Sequence, residues 1–269
     1  MAGTVGLKWC SAFVLLGLLC GVGRAAADPL PQTAARYDVF VHGLRAMVLD
    51  AAYRNGDGRY AVAVEGKTSG LVGLFLPGNL HLRGVGTFTP AGAVQPALYD
   101  SAGRSHHQNW LLDMVYKGAL PVVQRQQPPD PQREDVPDQA RMGAVDLLAV
   151  FMQLLSQVGA TQRCTDATSR IFDGERLSTL SIHSAGWGPL PAGFVETRGK
   201  DSLKCDFVFQ QVQGFKLSSK STALRKPQPG HVWFQNLPGV GMAVVRLELE
   251  HPKMGHIVLT LNALPQRRD

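Results

Sequence analysis

Charged and aromatic side chains are scarce in this sequence of 269 residues. Asp, Glu, Lys and Arg together make up 18% of the chain, and Phe, Trp and Tyr make up 7%. The formal net charge is +6, but the basic residues are scattered and form no cluster interleaved with aromatic side chains. The sequence therefore predicts no nucleic-acid-binding surface. Internal repeats and heptad runs are also missing, which argues against a solenoid or a long coiled coil.

Cysteine is rare as well. The chain has four cysteines, and none of them lies in a C-x-x-C motif or beside paired histidines. Thiolates without such partners do not complete the tetrahedral ligand set of zinc. The histidines are dispersed except for His106 and His107, and neighbouring residues on a strand point to opposite faces. The sequence therefore predicts neither a metal site nor a cofactor.

Motifs for catalysis are absent. Residues 184–186, Ser-Ala-Gly, do not fit the G-x-S-x-G nucleophile elbow. Residues 239–241, Gly-Val-Gly, precede a predicted strand rather than the helix that a phosphate-binding loop requires. Asp173 and Glu175 would suit acid–base chemistry, but the sequence Phe-Asp-Gly-Glu-Arg is more typical of a turn. We predict no catalytic residue, and an unrecognised hydrolase is the alternative.

A long apolar run occurs near the N-terminus. Residues 11–22 are almost wholly apolar, and three alanines follow at 25–27. The run is shorter than the roughly 20 residues of a membrane-spanning helix and has the layout of a secretory signal peptide. We therefore expect residues 1–27 to be a signal peptide and the mature chain to have no transmembrane segment. Lipidation at Cys20 is an alternative, although Leu19 stands where a lipidation site carries a small residue.

The cysteines that follow this segment are Cys164 and Cys205. Exported proteins enter an oxidising compartment in which disulfides persist. We therefore predict a disulfide between these two residues, with two free buried thiols as the alternative. In the entropic model, closing a loop of this size constrains the unfolded chain by roughly 4 kcal/mol.

Much of the remaining chain alternates between apolar and polar side chains, which is the period of a half-buried strand. Val245, Leu247 and Leu249 face one way, for example, and the charged residues between them face the other. Residues 55–58, Asn-Gly-Asp-Gly, predict a hairpin turn because glycine and asparagine accept positive φ. Many short strands of this kind predict a mainly β fold with one strongly curved antiparallel sheet, a β-spiral or open barrel.

One segment breaks the alternation. Residues 145–158, VDLLAVFMQLLSQV, repeat apolar side chains at helical spacing, with Asp146 placed to cap the helix and Gly159 to end it. We predict one principal helix there, packed on the sheet. The preceding residues 125–141 are rich in proline, glutamine and charge and predict an exposed loop.

The elements predict one folded unit. Residues 28–36 are expected to form a short linker after the signal peptide, residues 37–264 a single β-rich domain, and residues 265–269 a polar C-terminal tail. The sequence shows no second hydrophobic module. The pattern predicts no particular oligomeric state.

Several segments, in their order and spacing, resemble the bacterial domain-of-unknown-function family 3108. These segments are ARYDVFVHGL at 35–44, KTSGLVGLFLPGNLHLRGVGTFTPAGAVQPALY at 67–99, AVDLLAVFMQLL at 144–155, RIFDGERLSTLSI at 170–182 and KCDFVFQQVQGF at 204–215. The resemblance runs over about residues 37–264. It implies a β-rich spiral or open barrel in the periplasm of a Gram-negative bacterium, with no established reaction. Similar exported proteins are associated with keeping the cell envelope intact, which is an analogy at the level of the fold.

The predicted function is therefore that of a non-enzymatic periplasmic protein that binds an envelope lipid, a glycan or a protein partner. An apolar groove would favour a lipid. The side chains predicted to line such a groove are Leu74, Phe75, Leu147, Phe151 and Trp187. A structural scaffold without a ligand cavity is the alternative, and the interior of the sheet distinguishes the two.

Overall fold

Extended strands make up most of the folded chain. The computed structural model describes residues 32–105, 108–191, 200–218 and 222–268, so the predicted signal peptide and the pair His106–His107 lie outside the described residues. The strands in these ranges are β1 (Gln32–Val41), β2 (Leu44–Gly56), β3 (Arg59–Thr68), β4 (Asn79–Phe88), β5 (Val94–Ser105), β6 (Gln108–Lys117), β7 (Leu120–Gln127), β8 (Ala167–Phe172), β9 (Leu177–Pro189), β10 (Asp201–Gln213), β11 (Gln228–Leu237), β12 (Gly241–His251), β13 (Gly255–Leu261) and β14 (Gln266–Arg268). The helices are α1 (Gly70–Phe75), α2 (Asp138–Arg141), α3 (Leu147–Thr161) and a short 3-10 helix (Ala223–Arg225).

These strands form one antiparallel sheet. Their order is β7-β6-β5-β4-β3-β2-β1-β13-β12-β11-β10-β9-β8, and β14 pairs with the start of β1. Two meanders, β1–β7 and β8–β13, are thus joined through the pairing of β1 with β13. The sheet is nearly closed into a barrel, with β7 and β8 at its two edges. The predicted fold class, a mainly β protein with one strongly curved antiparallel sheet, is confirmed.

Two tight hairpins have the backbone that their sequences favour. Asp57 and Gly58, between β2 and β3, have φ of 52° and 68°. His42 and Gly43, between β1 and β2, have φ of 50° and 77°. Positive φ at both central residues is the type I′ geometry, whose twist matches that of the flanking strands. The hairpin predicted at residues 55–58 is therefore confirmed.

The helix α3 lies inside the rolled sheet. It contacts β3, β4 and β5 of the first meander and β8 and β12 of the second. Leu148, Met152 and Leu155, which recur at helical spacing, are buried. The predicted helix is confirmed, but Gly159 does not end it. The helix continues to its C-cap Gln162, which adopts the left-handed conformation and donates its N–H to the carbonyl of Val158.

Asp146 caps α3 as predicted. Its Oδ1 atom accepts a hydrogen bond from the N–H of Ala149 at 2.8 Å, and its Oδ2 atom accepts one from the hydroxyl of Tyr116 at 3.1 Å. The residue is only 1% exposed. Burial raises the pKa of Asp146, and the hydrogen bonds from Ala149 and Tyr116 oppose that rise. The cap therefore combines favourable hydrogen bonds with a costly buried charge.

Replacing Asp146 with alanine is expected to lower the free energy of unfolding by about 1 kcal/mol, because the helix loses its cap.

Asparagine at position 146 keeps an oxygen acceptor for the cap and removes the charge. Since the folded state raises the pKa of Asp146, the stability that its proton contributes is present below about pH 4 and is lost as the pH rises. The Asp146→Asn variant should therefore gain stability relative to the wild type as the pH is raised from about 4 toward neutral, as measured by urea unfolding. A constant difference across this range would argue against the raised pKa.

Cys164 and Cys205 are bonded, as predicted, with their Cα atoms 5.8 Å apart. Both residues are buried. Cys164 follows the C-terminal end of α3, and Cys205 lies in β10. The disulfide therefore ties the end of the internal helix to the second meander.

Two predicted boundaries, one near each end of the described chain, are wrong. The linker predicted at 28–36 is partly strand, because β1 begins at Gln32. The tail predicted at 265–269 contains β14, in which Arg268 pairs with Gln32. The polar side chains of these segments do not alternate with apolar ones, so the sequence pattern did not indicate a strand. The segments form strands all the same, because the hydrogen bonds of a sheet join backbone groups, which every residue type has.

The loop predicted at residues 125–141 is also wrong in part. The strand β7 continues to Gln127, α2 occupies the last residues of the segment, and Val136 between them is 5% exposed. The N–H of Glu134 donates to the carbonyl of Phe215, which holds the segment against the residues that follow β10. The segment thus packs across the gap between the two edges of the sheet.

Candidate functional site

A cavity of about 1100 Å³ opens between the two meanders. Its wall includes residues of β4 to β7 on one side and of β8 to β12 on the other. Leu147, the first residue of α3, is the one residue of that helix in the wall. The helix therefore fills one part of the space inside the sheet and closes the cavity at that end.

Aromatic rings form part of the wall. Trp110 and Tyr99 come from the first meander, and Phe172 and Phe209 come from the second. The ring of Trp110 lies over Gly103, where an added Cβ would come within 2.7 Å of a ring atom. Glycine at this position of β5 therefore leaves the space that the indole ring occupies.

A charged cluster lies where the segment after β7 meets the turn between β8 and β9. The Nε atom of Arg133 is 2.9 Å from a carboxylate oxygen of Asp130 and 2.9 Å from one of Glu175. Gln126 donates to the other oxygen of Glu175 at 2.6 Å. Arg133 also donates to the carbonyl of Gly214 at 3.0 Å. The cluster therefore connects both edges of the sheet at the cavity wall.

The turn predicted at Asp173 and Glu175 is confirmed. The Oδ1 atom of Asp173 accepts from the N–H of Glu175 at 3.1 Å and from that of Arg176 at 2.8 Å. The Nε atom of Arg176 donates to Oδ2 of Asp173 at 2.7 Å. Burial lowers the pKa of Arg176, but the charge of Asp173, its hydrogen bond to Arg176 and the nearby charge of Glu175 together outweigh burial, and the pKa is raised. Arg176 thus stays charged and held in place beside the cavity.

His251 is a neutral side chain of the wall. Its Nδ1 atom accepts hydrogen bonds from the N–H groups of Lys253 at 3.2 Å and Met254 at 3.1 Å. Burial, Lys253 and Arg176 together lower the pKa of His251. Because protonation of Nδ1 would break both hydrogen bonds, the imidazole keeps its proton on Nε2.

The described side chains of the cavity can form hydrogen bonds, ion pairs and ring contacts with a ligand. The hydrogen bonds among the described residues join no serine to a histidine. Two histidines are bonded to carboxylates, His231 to Asp206 and His256 to Glu250, each at 2.6 Å, and neither pair lines the cavity. In the described part of the chain no three His, Cys, Asp or Glu side chains are grouped as metal ligands would be.

The structure does not assemble the predicted apolar groove. Leu74 and Phe75 lie on α1 and are 76% and 80% exposed. Phe151 packs edge-on against Tyr53, with ring centroids 6.2 Å apart. Leu147 does line the cavity.

Trp187 lies far from Leu147. Its Nε1 atom donates to the carbonyl of Gln162, at the other end of α3. A helix of this length separates its two ends by about 22 Å. The grouping failed because apolar character does not tell which face or which end of an element a side chain occupies.

Few features of the sequence pointed to the residues that build the cavity. Arg133 and Asp130 lie in the segment predicted to be an exposed loop, and Trp110 follows the histidine pair without a motif. Arg133 and Gly214, which are hydrogen-bonded, are 81 residues apart. The run at residues 125–141, in which charged side chains lie next to predicted strands, was the one feature of the sequence that could have indicated the charged part of the cavity wall.

Comparisons with known proteins support the fold. No helix in the described ranges has the length and apolar character needed to cross a bilayer. No protein-family model matches the chain, and no curated protein matches it either. Among solved structures, the chain is similar to a β-barrel-like protein of the domain of unknown function DUF1849 from Brucella abortus, with a TM-score of 0.50 and 12% sequence identity. The match covers 89% of this chain and 98% of that one, so the likeness is one of overall architecture.

Proposed function

We propose that this chain is an exported, non-enzymatic protein of domain family 3108 that binds a glycan of the cell envelope in the cavity between its meanders. The observation that carries this proposal is the composition of the cavity wall, which combines aromatic rings with amides and ion-paired side chains. A cavity of about 1100 Å³ also speaks against a scaffold with a filled interior.

Export to the periplasm is supported by the disulfide between Cys164 and Cys205. Disulfides persist in oxidising compartments and are rare in the cytosol of most bacteria. The N-terminal run at residues 11–22 adds an independent indication from the sequence.

A sugar fits this wall better than an acyl chain. A sugar ring presents apolar C–H groups on its faces, which pack on aromatic rings such as Trp110. Its hydroxyl groups can bond to amides and charged side chains, and the wall supplies both in the exposed residues Gln108, Gln127 and Lys216. An acyl chain would take these groups out of water without replacing their hydrogen bonds, which costs free energy.

The test is the binding of soluble envelope oligosaccharides to the purified protein, measured by titration calorimetry. We expect saturable binding that becomes about tenfold weaker in the Trp110→Ala variant, because stacking on the indole ring is lost. Trp187→Ala is the matched control, since Trp187 is an exposed tryptophan outside the cavity wall.

Equal losses in the two variants would exclude the cavity as the site. Absence of saturable binding to any oligosaccharide, together with binding of a fatty acid that Trp110→Ala weakens, would replace the glycan with a lipid.

A further inference from the structure

Exposed apolar side chains concentrate at one end of the sheet. Leu71, Leu74 and Phe75 of α1 are 62%, 76% and 80% exposed, Leu76 after the helix is 47% exposed, and Leu44 in the neighbouring hairpin is 56% exposed. We call these five residues the α1 patch. None of the residues of α1 is buried. Large apolar side chains gathered in this way mark a surface that contacts another one.

Backbone hydrogen bonds hold the α1 patch in place. The N–H of Ser69 donates to the carbonyl of Ala46 at 2.9 Å, and that of Thr68 donates to the carbonyl of Gly78 at 3.0 Å. The N–H of Gly78 donates in turn to Oγ1 of Thr68 at 2.8 Å. The two ends of the connection are thus fixed to each other and to β2, which keeps the apolar side chains directed away from the sheet.

Acidic residues are scarce in the chain segments at this end, where Asp38 is paired with Arg45 and Glu250 with His256. Residues 39–49, 66–99, 101–112 and 251–261 contain no Asp or Glu. The first two segments carry the α1 patch. The pairing of Asn79 with Arg104 brings the third beside it, and a hydrogen bond from the N–H of His42 to the carbonyl of His256 brings the fourth.

Basic side chains surround the patch. Arg45, Lys67, Arg104 and Lys253 belong to these segments and are exposed. Of the four, Arg45 is paired with an acid, Asp38. An apolar centre with a basic rim is the composition of a surface that lies on a membrane, where the apolar groups enter the headgroup layer and the cations face anionic lipids.

We propose that this end of the sheet docks on an anionic phospholipid bilayer through the α1 patch and its basic rim. The cavity wall reaches the same end, because His251 lies directly before the turn that carries Lys253, and Gln108 pairs with Ser105 beside Arg104. Docking therefore brings the part of the cavity wall that contains His251 and Gln108 close to the membrane surface. The proposal does not depend on the identity of the ligand in the cavity.

The test is flotation of the mature protein with vesicles of phosphatidylethanolamine and phosphatidylglycerol, compared with vesicles of phosphatidylcholine alone. We expect binding to the anionic vesicles that weakens with added salt. The double variant Leu74→Asp, Phe75→Asp should lose at least about tenfold in vesicle affinity, since it replaces the two most exposed side chains of the patch by charges that anionic lipids repel. Because neither side chain is buried, its thermal unfolding midpoint should equal that of the wild type.

Leu264→Asp is the matched control, because Leu264 is 51% exposed and follows the opposite end of β13. It should bind vesicles as the wild type does. A second double variant, Lys67→Glu with Arg104→Glu, should weaken binding to anionic vesicles without changing the patch. Undiminished binding by the α1 variant would overturn the proposal. A different outcome is that the wild type does not bind vesicles but forms a dimer, and that the α1 variant is a monomer in size-exclusion chromatography. The patch would then be a contact between two copies of the chain.

Discussion

The variant in which Cys164 and Cys205 are both replaced by alanine should have a free energy of unfolding about 4 kcal/mol below that of the wild type. The two residues are 41 positions apart, and a cross-link over a loop of this length restricts the unfolded chain by about that amount in the entropic model. Alanine is the suitable replacement because both sites are buried, and a serine hydroxyl would need a partner there.

Urea unfolding with and without reductant measures this effect. Reductant should move the midpoint of the wild type to that of the double variant and leave the variant unchanged. If the oxidised wild type and the variant have the same midpoint, the disulfide between the end of α3 and β10 does not stabilise the folded state by constraining the unfolded chain.

Gly214→Ala should cost about 3 kcal/mol of stability. Gly214 has φ of +76°, and an alanine in the left-handed region loses roughly 1–2 kcal/mol. Its Cβ would also overlap the carbonyl oxygen of Glu175 and lie 2.8 Å from the Cα atom of Arg176. Overpacking against backbone of this kind adds roughly 1–3 kcal/mol. The residue thus sits where the end of β10 crosses the turn between β8 and β9.

The variant Gly239→Ala separates the cost of the left-handed backbone conformation from the cost of the steric overlap. Gly239 has nearly the same φ, +73°, and an added Cβ there meets nothing within 4 Å. This variant should lose only the conformational part, about 1 kcal/mol. Thermal or urea unfolding of both variants gives the comparison, and equal losses would mean that the close approach at Gly214 relaxes without cost.

Local patterns in the sequence were enough to predict most of the strands and the principal helix. The alternation at Val245, Leu247 and Leu249, the turn at residues 55–58 and the helical period at residues 145–158 each depend on neighbours in sequence. These features follow from backbone preferences and hydrophobic period, which act within a few residues. The disulfide was predicted on another ground, because the expected removal of residues 1–27 as a signal peptide leaves Cys164 and Cys205.

Features that depend on distant parts of the chain were missed. Leu74 and Phe75 are as apolar as buried residues, and a short apolar run does not reveal whether another element covers it. Arg133 lies in a polar segment, and its partners Glu175 and Gly214 are contributed by β8–β9 and β10. The cavity arises where two meanders face each other, and no motif encodes that arrangement.

The order of the strands has a consequence for how the protein is made. Within each meander a strand can pair as soon as the next one has left the ribosome, because its partner is its neighbour in sequence. The strand β1 is different, since Tyr37 pairs with Leu261 and Gln32 with Arg268. One side of the first strand therefore stays open until the last residues of the chain arrive, and an exposed strand edge of this kind pairs readily with other chains. Chaperones that bind extended segments would act on the nascent protein at this edge, and shortened products that end before β13 would retain it.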